Sequence, residues 1–62
     1  MVIAYERNGS QDVIMFEHND DYVIQLRQEC MVVEEYKIAR EGDNGYEEAE
    51  NLFDSFVCQI NR

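Results

Sequence analysis

Proline is absent from this chain, histidine occurs once, cysteine twice, and lysine and arginine together only five times in 62 residues. Each shortage excludes something. Without proline, repeats or low-complexity tracts, nothing marks a linker, so residues 1–62 are expected to form one small domain. Cys30 and Cys58 are too few for a disulfide scaffold or a closed four-ligand zinc site and are expected as free thiols. No apolar run approaches the ~18 residues of a membrane span. The opening segment Met1-Val2-Ile3-Ala4-Tyr5-Glu6-Arg7 lacks the basic start and long apolar core of a signal peptide, so a cytoplasmic location is expected. Five bases neutralise few phosphates, which makes nucleic acid and anionic membranes poor direct partners.

Groups for catalysis are scarce as well. The lone His18 sits beside an acidic turn, and no spacing ties it to Cys30 as a nucleophile–base pair. It reads as an exposed histidine at a strand end. A chain this short has difficulty enclosing a ligand cavity of roughly 300 Å³ or more. Asp43-Asn44-Gly45 resembles a fragment of a calcium loop, but the EF-hand pattern needs a glutamate where Asn51 stands. His18-Asn19-Asp20-Asp21 offers ligand atoms with no geometry behind them. Both segments read as turns. No catalytic residue, metal or cofactor is expected, and the chain does not read as an enzyme.

What is present is a globular pattern and a large negative charge. The hydrophobic fraction is 45%, ordinary for a folded chain. Residues 1–7 read as a strand, and Asn8-Gly9 is the dipeptide favoured by a type I′ hairpin turn. A two-residue turn there sets Ile3 opposite Ile14, Tyr5 opposite Asp12 and Val2 opposite Met15. A second strand follows over 12–18. A three-residue loop at Asn19-Asp20-Asp21 then places Phe16 opposite Ile24 and Ile14 opposite Leu26. The third strand, 22–28, alternates at Tyr22, Ile24 and Leu26. A turn near Glu29-Cys30 leads to a fourth strand over 31–40. There Met31 and Val33 have one parity and Tyr36 and Ile38 the other, which predicts a β-bulge at Glu34-Glu35.

After a loop over 41–45, Tyr46, Ala49, Leu52, Phe53, Phe56, Val57 and Ile60 follow helical spacing. The helix is expected over 46–60, with Asn44 as N-cap and Glu47, Glu48 and Glu50 near the positive end of its dipole. The predicted fold class is therefore α+β. A four-stranded antiparallel sheet, in ββββα order, carries one C-terminal amphipathic helix on one face. The expected core takes Ile3, Tyr5, Ile14, Phe16, Ile24, Leu26, Tyr36 and Ile38 from the sheet. The helix supplies Ala49, Leu52, Phe53, Phe56, Val57 and Ile60.

Two surfaces stand out in this scheme. Glu47, Glu50 and Asp54 lie at i, i+3 and i+7, forming an acidic stripe on the outer side of the helix, flanked by Asn51, Cys58 and Asn61. Glu17, Asp20 and Asp21 form a second acidic group. The other surface is the sheet face turned away from the helix. It would hold Val2, Ala4, Val13, Met15, Val23 and Val32, where a half-exposed sheet should be polar. Val13, Met15 and Val23 are thus expected to meet a partner or a second copy.

Fourteen acids against five bases give a formal charge of −9 and a pI near 4.2. Such a charge keeps a small protein soluble or complements a basic partner surface. In size, charge and missing chemistry the chain resembles phage-encoded inhibitors, including anti-CRISPR proteins and other nucleic-acid mimics. That resemblance implies an acidic binding inhibitor occupying a basic nucleic-acid-binding site on a partner protein. The alternative is a small cellular accessory or regulatory subunit, able to form a homodimer, whose acids serve solubility.

Overall fold

The computed structural model describes residues 1–41 and 44–62. Gly42 and Asp43, which belong to the loop expected over 41–45 and to the Asp43-Asn44-Gly45 fragment, lie outside the described residues. Four strands come first: β1 (Val2–Asn8), β2 (Gln11–His18), β3 (Asp21–Gln28) and β4 (Met31–Ala39). They form one antiparallel meander in the order β1-β2-β3-β4. A single helix, α1 (Gly45–Ile60), packs across one face. The fold is α+β, as the pattern predicts.

All three hairpins close through two-residue turns, and each turn has residues in the left-handed region. Gly9 has φ +64°, Asn19 +56°, Glu29 +53° and Cys30 +68°. Positive φ at the first central residue, or at both, suits the right-handed twist of paired strands. Gly9 and Asn19 adopt it readily. Glu29 and Cys30 do so at a cost of about 1–2 kcal/mol each.

These turns correct two registers. Asn8 pairs with Gln11, so the first turn is Gly9-Ser10 rather than Asn8-Gly9. Tyr5 therefore faces Ile14 instead of Asp12, although the parity of β1 against β2 is unchanged. His18 pairs with Asp21, so the second turn is Asn19-Asp20, one residue shorter than expected. That single residue matters more, because a slip of one turns every side chain to the opposite face. Met15 faces Ile24 and Val13 faces Leu26, while Phe16 faces Val23.

The core accordingly lies on Val13, Met15, Ile24 and Leu26 from the sheet and Ala49, Phe53, Phe56 and Ile60 from the helix, all buried. Ile14, Phe16 and Tyr5, expected there, point the other way. Ile3 reaches the core because β1 is irregular between Val2 and Ala4, where Val2 pairs with Phe16 but Ala4 with Met15. A bulge does occur in β4, one position earlier than expected. Leu26 pairs with Glu34 and Arg27 with Val32, leaving Val33 as the extra residue. This brings Met31 to the side of Tyr36 and Ile38, while Val33, expected to join them, is the unpaired residue of the bulge.

Helix α1 runs diagonally. At its start Gly45 is buried against the Ala39 carbonyl of β4, and Tyr46 meets Tyr22 edge-on with ring centroids 5.6 Å apart. At its end the Asn8 side chain donates to the Ile60 carbonyl at 2.7 Å. Asn44 occupies the N-cap position, with its carbonyl accepting the Glu48 N–H at 2.9 Å, but its side chain makes no capping bond. The diagonal leaves one corner of β4 uncovered, and Met31 is 72% exposed there.

Candidate functional site

Glu47, Glu50 and Asp54 are exposed on α1, opposite its buried Ala49, Phe53 and Phe56. No ion pair among the described residues involves them. Helix stability alone does not favour the arrangement. Glu47–Glu50 and Glu50–Asp54 are like-charge pairs at i,i+3 and i,i+4, each unfavourable by about 0.2–0.5 kcal/mol. Only the first-turn Glu47 and Glu48 gain from the helix dipole. The last turn has no basic residue to balance the other end.

The second acidic group is less free than the sequence suggests. Glu17 is half-buried and its Oε2 lies 3.5 Å from Arg40 Nη1. Arg40 also stands over the Tyr22 ring at 5.7 Å, donates a side-chain N–H to the Asn19 carbonyl, and donates its backbone N–H to the Asp20 carbonyl at 2.8 Å. It pins the β2–β3 turn and offsets the charge beside it. Asp21 is half-buried as the pairing partner of His18. Asp20 remains exposed. The Tyr22–Tyr46 contact brings this turn close to the first turn of α1, so Asp20 and Glu47 lie toward the same end of the molecule.

The registers sort the charges by face, since paired residues share a side of the sheet. On the helix side lie Glu6, Glu17 and Glu34 from the sheet and Glu47, Glu48, Glu50 and Asp54 from α1, with Arg40 as the base among them. On the open side lie Asp12, Asp21 and Glu35 against Arg7, Arg27 and Lys37, three of each sign. The excess negative charge is therefore concentrated on the helix side.

No family model, curated protein or solved structure matches this chain.

The open side also carries chemistry that the sequence reading missed. Arg27 grips Asp12 through two hydrogen bonds of 2.7 and 3.0 Å, and the Tyr5 hydroxyl donates to Asp12 at 3.0 Å. The guanidinium's hydrogen bonds, aided by the tyrosine hydroxyl, hold the Asp12 carboxyl below its ordinary range. Gln25 donates to Glu35 at 2.6 Å. The expected three-residue loop at Asn19-Asp20-Asp21 hid this network, because it put Asp12 on the face of Leu26 and Arg27 on the opposite one, whereas the two are paired across β2 and β3.

Val13 and Met15 cannot serve as a partner surface. They are 0% and 1% exposed, enclosed between the sheet and α1 by the shorter Asn19-Asp20 turn. Ala4 likewise turns to the core side. Val23 does lie on the open side, but at 2% exposure it is the floor of that face. In place of Val13 and Met15 the open side presents half-buried Ile14 and Phe16, with exposed Val2, Tyr5 and Val32 around them. Cys30 and Cys58 are free and exposed, as is His18. Among the described residues no group of three metal-ligating side chains comes together, and no helix is long and apolar enough to cross a membrane.

Proposed function

We propose that the protein is a cytoplasmic binding inhibitor that occupies a basic, nucleic-acid-binding site on a partner protein. The supporting observation is the segregation of charge. Four acids on a rigid helix face solvent without a basic residue on that helix, although their mutual repulsion costs stability. Side chains three or four positions apart on a helix are about 5–6 Å from each other. Neighbouring phosphates on one nucleic-acid strand are separated by a comparable step. Glu47, Glu50 and Asp54 can thus present carboxylates to arginines and lysines arranged for a backbone, with Glu48 beside them and Asp20 at the adjoining turn. Binding of this kind needs neither a catalytic group nor a metal. It has the logic of the phage-encoded inhibitors that the chain resembles in size and charge.

The test is capture of nucleic-acid-binding proteins on the immobilised chain, with release by salt and by added duplex DNA or RNA. A mimic should lose its partner as salt rises and should be displaced by the competing polyanion. Glu47→Lys, Glu50→Lys and Asp54→Lys together should abolish capture while the fold persists. Full affinity in that triple variant, or capture indifferent to salt and polyanion, would favour the second reading. In that reading the chain is an accessory subunit held through apolar area, and the open sheet face with Ile14 and Phe16 is the feature in its favour.

A further inference from the structure

We infer that the open face of the sheet is a self-association surface, and that its occupant is the same face of a second copy. The face reads as four rows: His18–Asp21–Ala39 from β2 to β4, then Val2–Phe16–Val23–Lys37, Tyr5–Ile14–Gln25–Glu35 and Arg7–Asp12–Arg27–Val32 across all four strands. The apolar residues Val2, Phe16 and Ile14 adjoin one another over Val23, which at 2% exposure is the floor beneath them. Of the polar groups beside them, Tyr5–Asp12–Arg27 and Gln25–Glu35 are bonded to one another within the face. An apolar patch flanked by polar groups bonded to one another resembles the core and rim of an interface. It is unusual on a sheet face meant for water.

Charge selects the occupant. Two chains of −9 repel one another in most orientations. The open face is the exception, because its three acids and three bases cancel. Arg7 and Lys37 at its border can meet Asp21 and Glu35 of a second copy, the mixture of signs that an isologous contact needs. Stacked sheets lie about 10 Å apart with each helix beyond its own sheet. The two acidic stripes then stay more than two Debye lengths, of about 8 Å each, from one another. Area is sufficient as well. Strands of eight residues at about 3.3 Å each, four of them about 4.8 Å apart, give roughly 500 Å² per copy. A pair buries about 1,000 Å², the size at which specific association begins. The product is a four-layer helix–sheet–sheet–helix dimer with its acidic stripes on opposite outer surfaces.

Sedimentation equilibrium of the full chain at micromolar concentration should return twice the 7.4 kDa of one chain. Phe16→Lys buries a charge at the centre of the contact and should raise the dissociation constant roughly 100-fold. Should that variant fail to fold, Val2→Lys with Val32→Lys places two charges on side chains already 57% and 51% exposed, where the monomer tolerates them. It should return the single-chain mass with a cooperative melt. The helix triple Glu47→Lys, Glu50→Lys, Asp54→Lys should leave the mass doubled. A monomeric wild type overturns the inference. So does a dimer that survives the Val2 and Val32 charges but is dissolved by Met31→Lys at the uncovered corner of β4.

Discussion

At the scale of single residues, two positions show geometry overruling composition. Gly45 opens α1, and helix propensity alone says that alanine there should stabilise by about 1 kcal/mol. A Cβ at this position would lie 2.6 Å from the Ala39 carbonyl oxygen, a backbone atom that cannot swing aside. The clash wins. Gly45→Ala should lower stability by about 1–3 kcal/mol, measured by urea denaturation; a more stable variant would mean that α1 does not dock on the end of β4. Asp12 is the second position. Its carboxyl is held below 3.8 chiefly by the Arg27 hydrogen bonds, so its contribution is present above that value and is lost as pH falls through the folded-state pKa. Side-chain exposures of 14% for Asp12 and 27% for Arg27 keep the pair partly out of water. Asp12→Asn should cost about 1 kcal/mol near neutral pH. The difference from wild type should close well below pH 3.8. A gap that persists in acid would show that the asparagine disturbs packing instead of removing charge.

At the scale of elements, the helix was readable and one strand was not. The seven apolar positions from Tyr46 to Ile60 keep helical period, and four of them, Ala49, Phe53, Phe56 and Ile60, are buried. Strand β2 has no such period. Its residues 13–16 are Val, Ile, Met and Phe, apolar on both parities, so alternation cannot say which pair faces the helix. The turn before β3 settles it, and Asn19 at φ +56° allows a two-residue loop where three were expected. The two phenylalanines then separate by context. Phe53 is 7% exposed in the core, whereas Phe16 is half-buried on the open face. Phe53→Ala should cost about 3–5 kcal/mol, comparable with the whole stability of so small a domain, and leave the chain largely unfolded at room temperature. Phe16→Ala should keep a cooperative melt with less than half that loss. Equal losses, followed by circular dichroism, would mean that the helix does not cover the face carrying Val13 and Met15.

At the scale of the whole molecule, charge is the dominant surface property and opposes folding. The formal −9 is distributed unevenly, with like-charge pairs on α1 and a balanced open face. Screening should therefore stabilise the native state. The melting temperature should rise as salt increases from low to physiological concentration, because the Debye length shrinks from about 30 Å at 0.01 M to about 8 Å at 0.15 M. Glu47→Gln, Glu50→Gln and Asp54→Gln together should raise the melting temperature at low salt and flatten this dependence. A salt response unchanged by the triple variant would place the repulsion elsewhere than the helix stripe.

Local information alone was enough for the element order, the single helix with its buried face, the need for a bulge in β4 and the exposure of the acidic stripe. Each follows from a period or a parity that neighbouring residues carry in the chain. The outward side of β2, and with it the status of Val13, Met15, Ile14 and Phe16, was decided only by tertiary structure. Both choices bury apolar side chains equally well in an isolated strand. The difference arises when the turn places Met15 across from Ile24 and Val13 across from Leu26, so that all four meet Phe53 and Phe56 from the helix. The sorting of acids onto the helix side and the Tyr5–Asp12–Arg27 network depend on the same registers. A one-residue difference in loop length moves a whole strand from one face to the other, and no window of sequence shorter than the packed sheet and helix contains the information that fixes it.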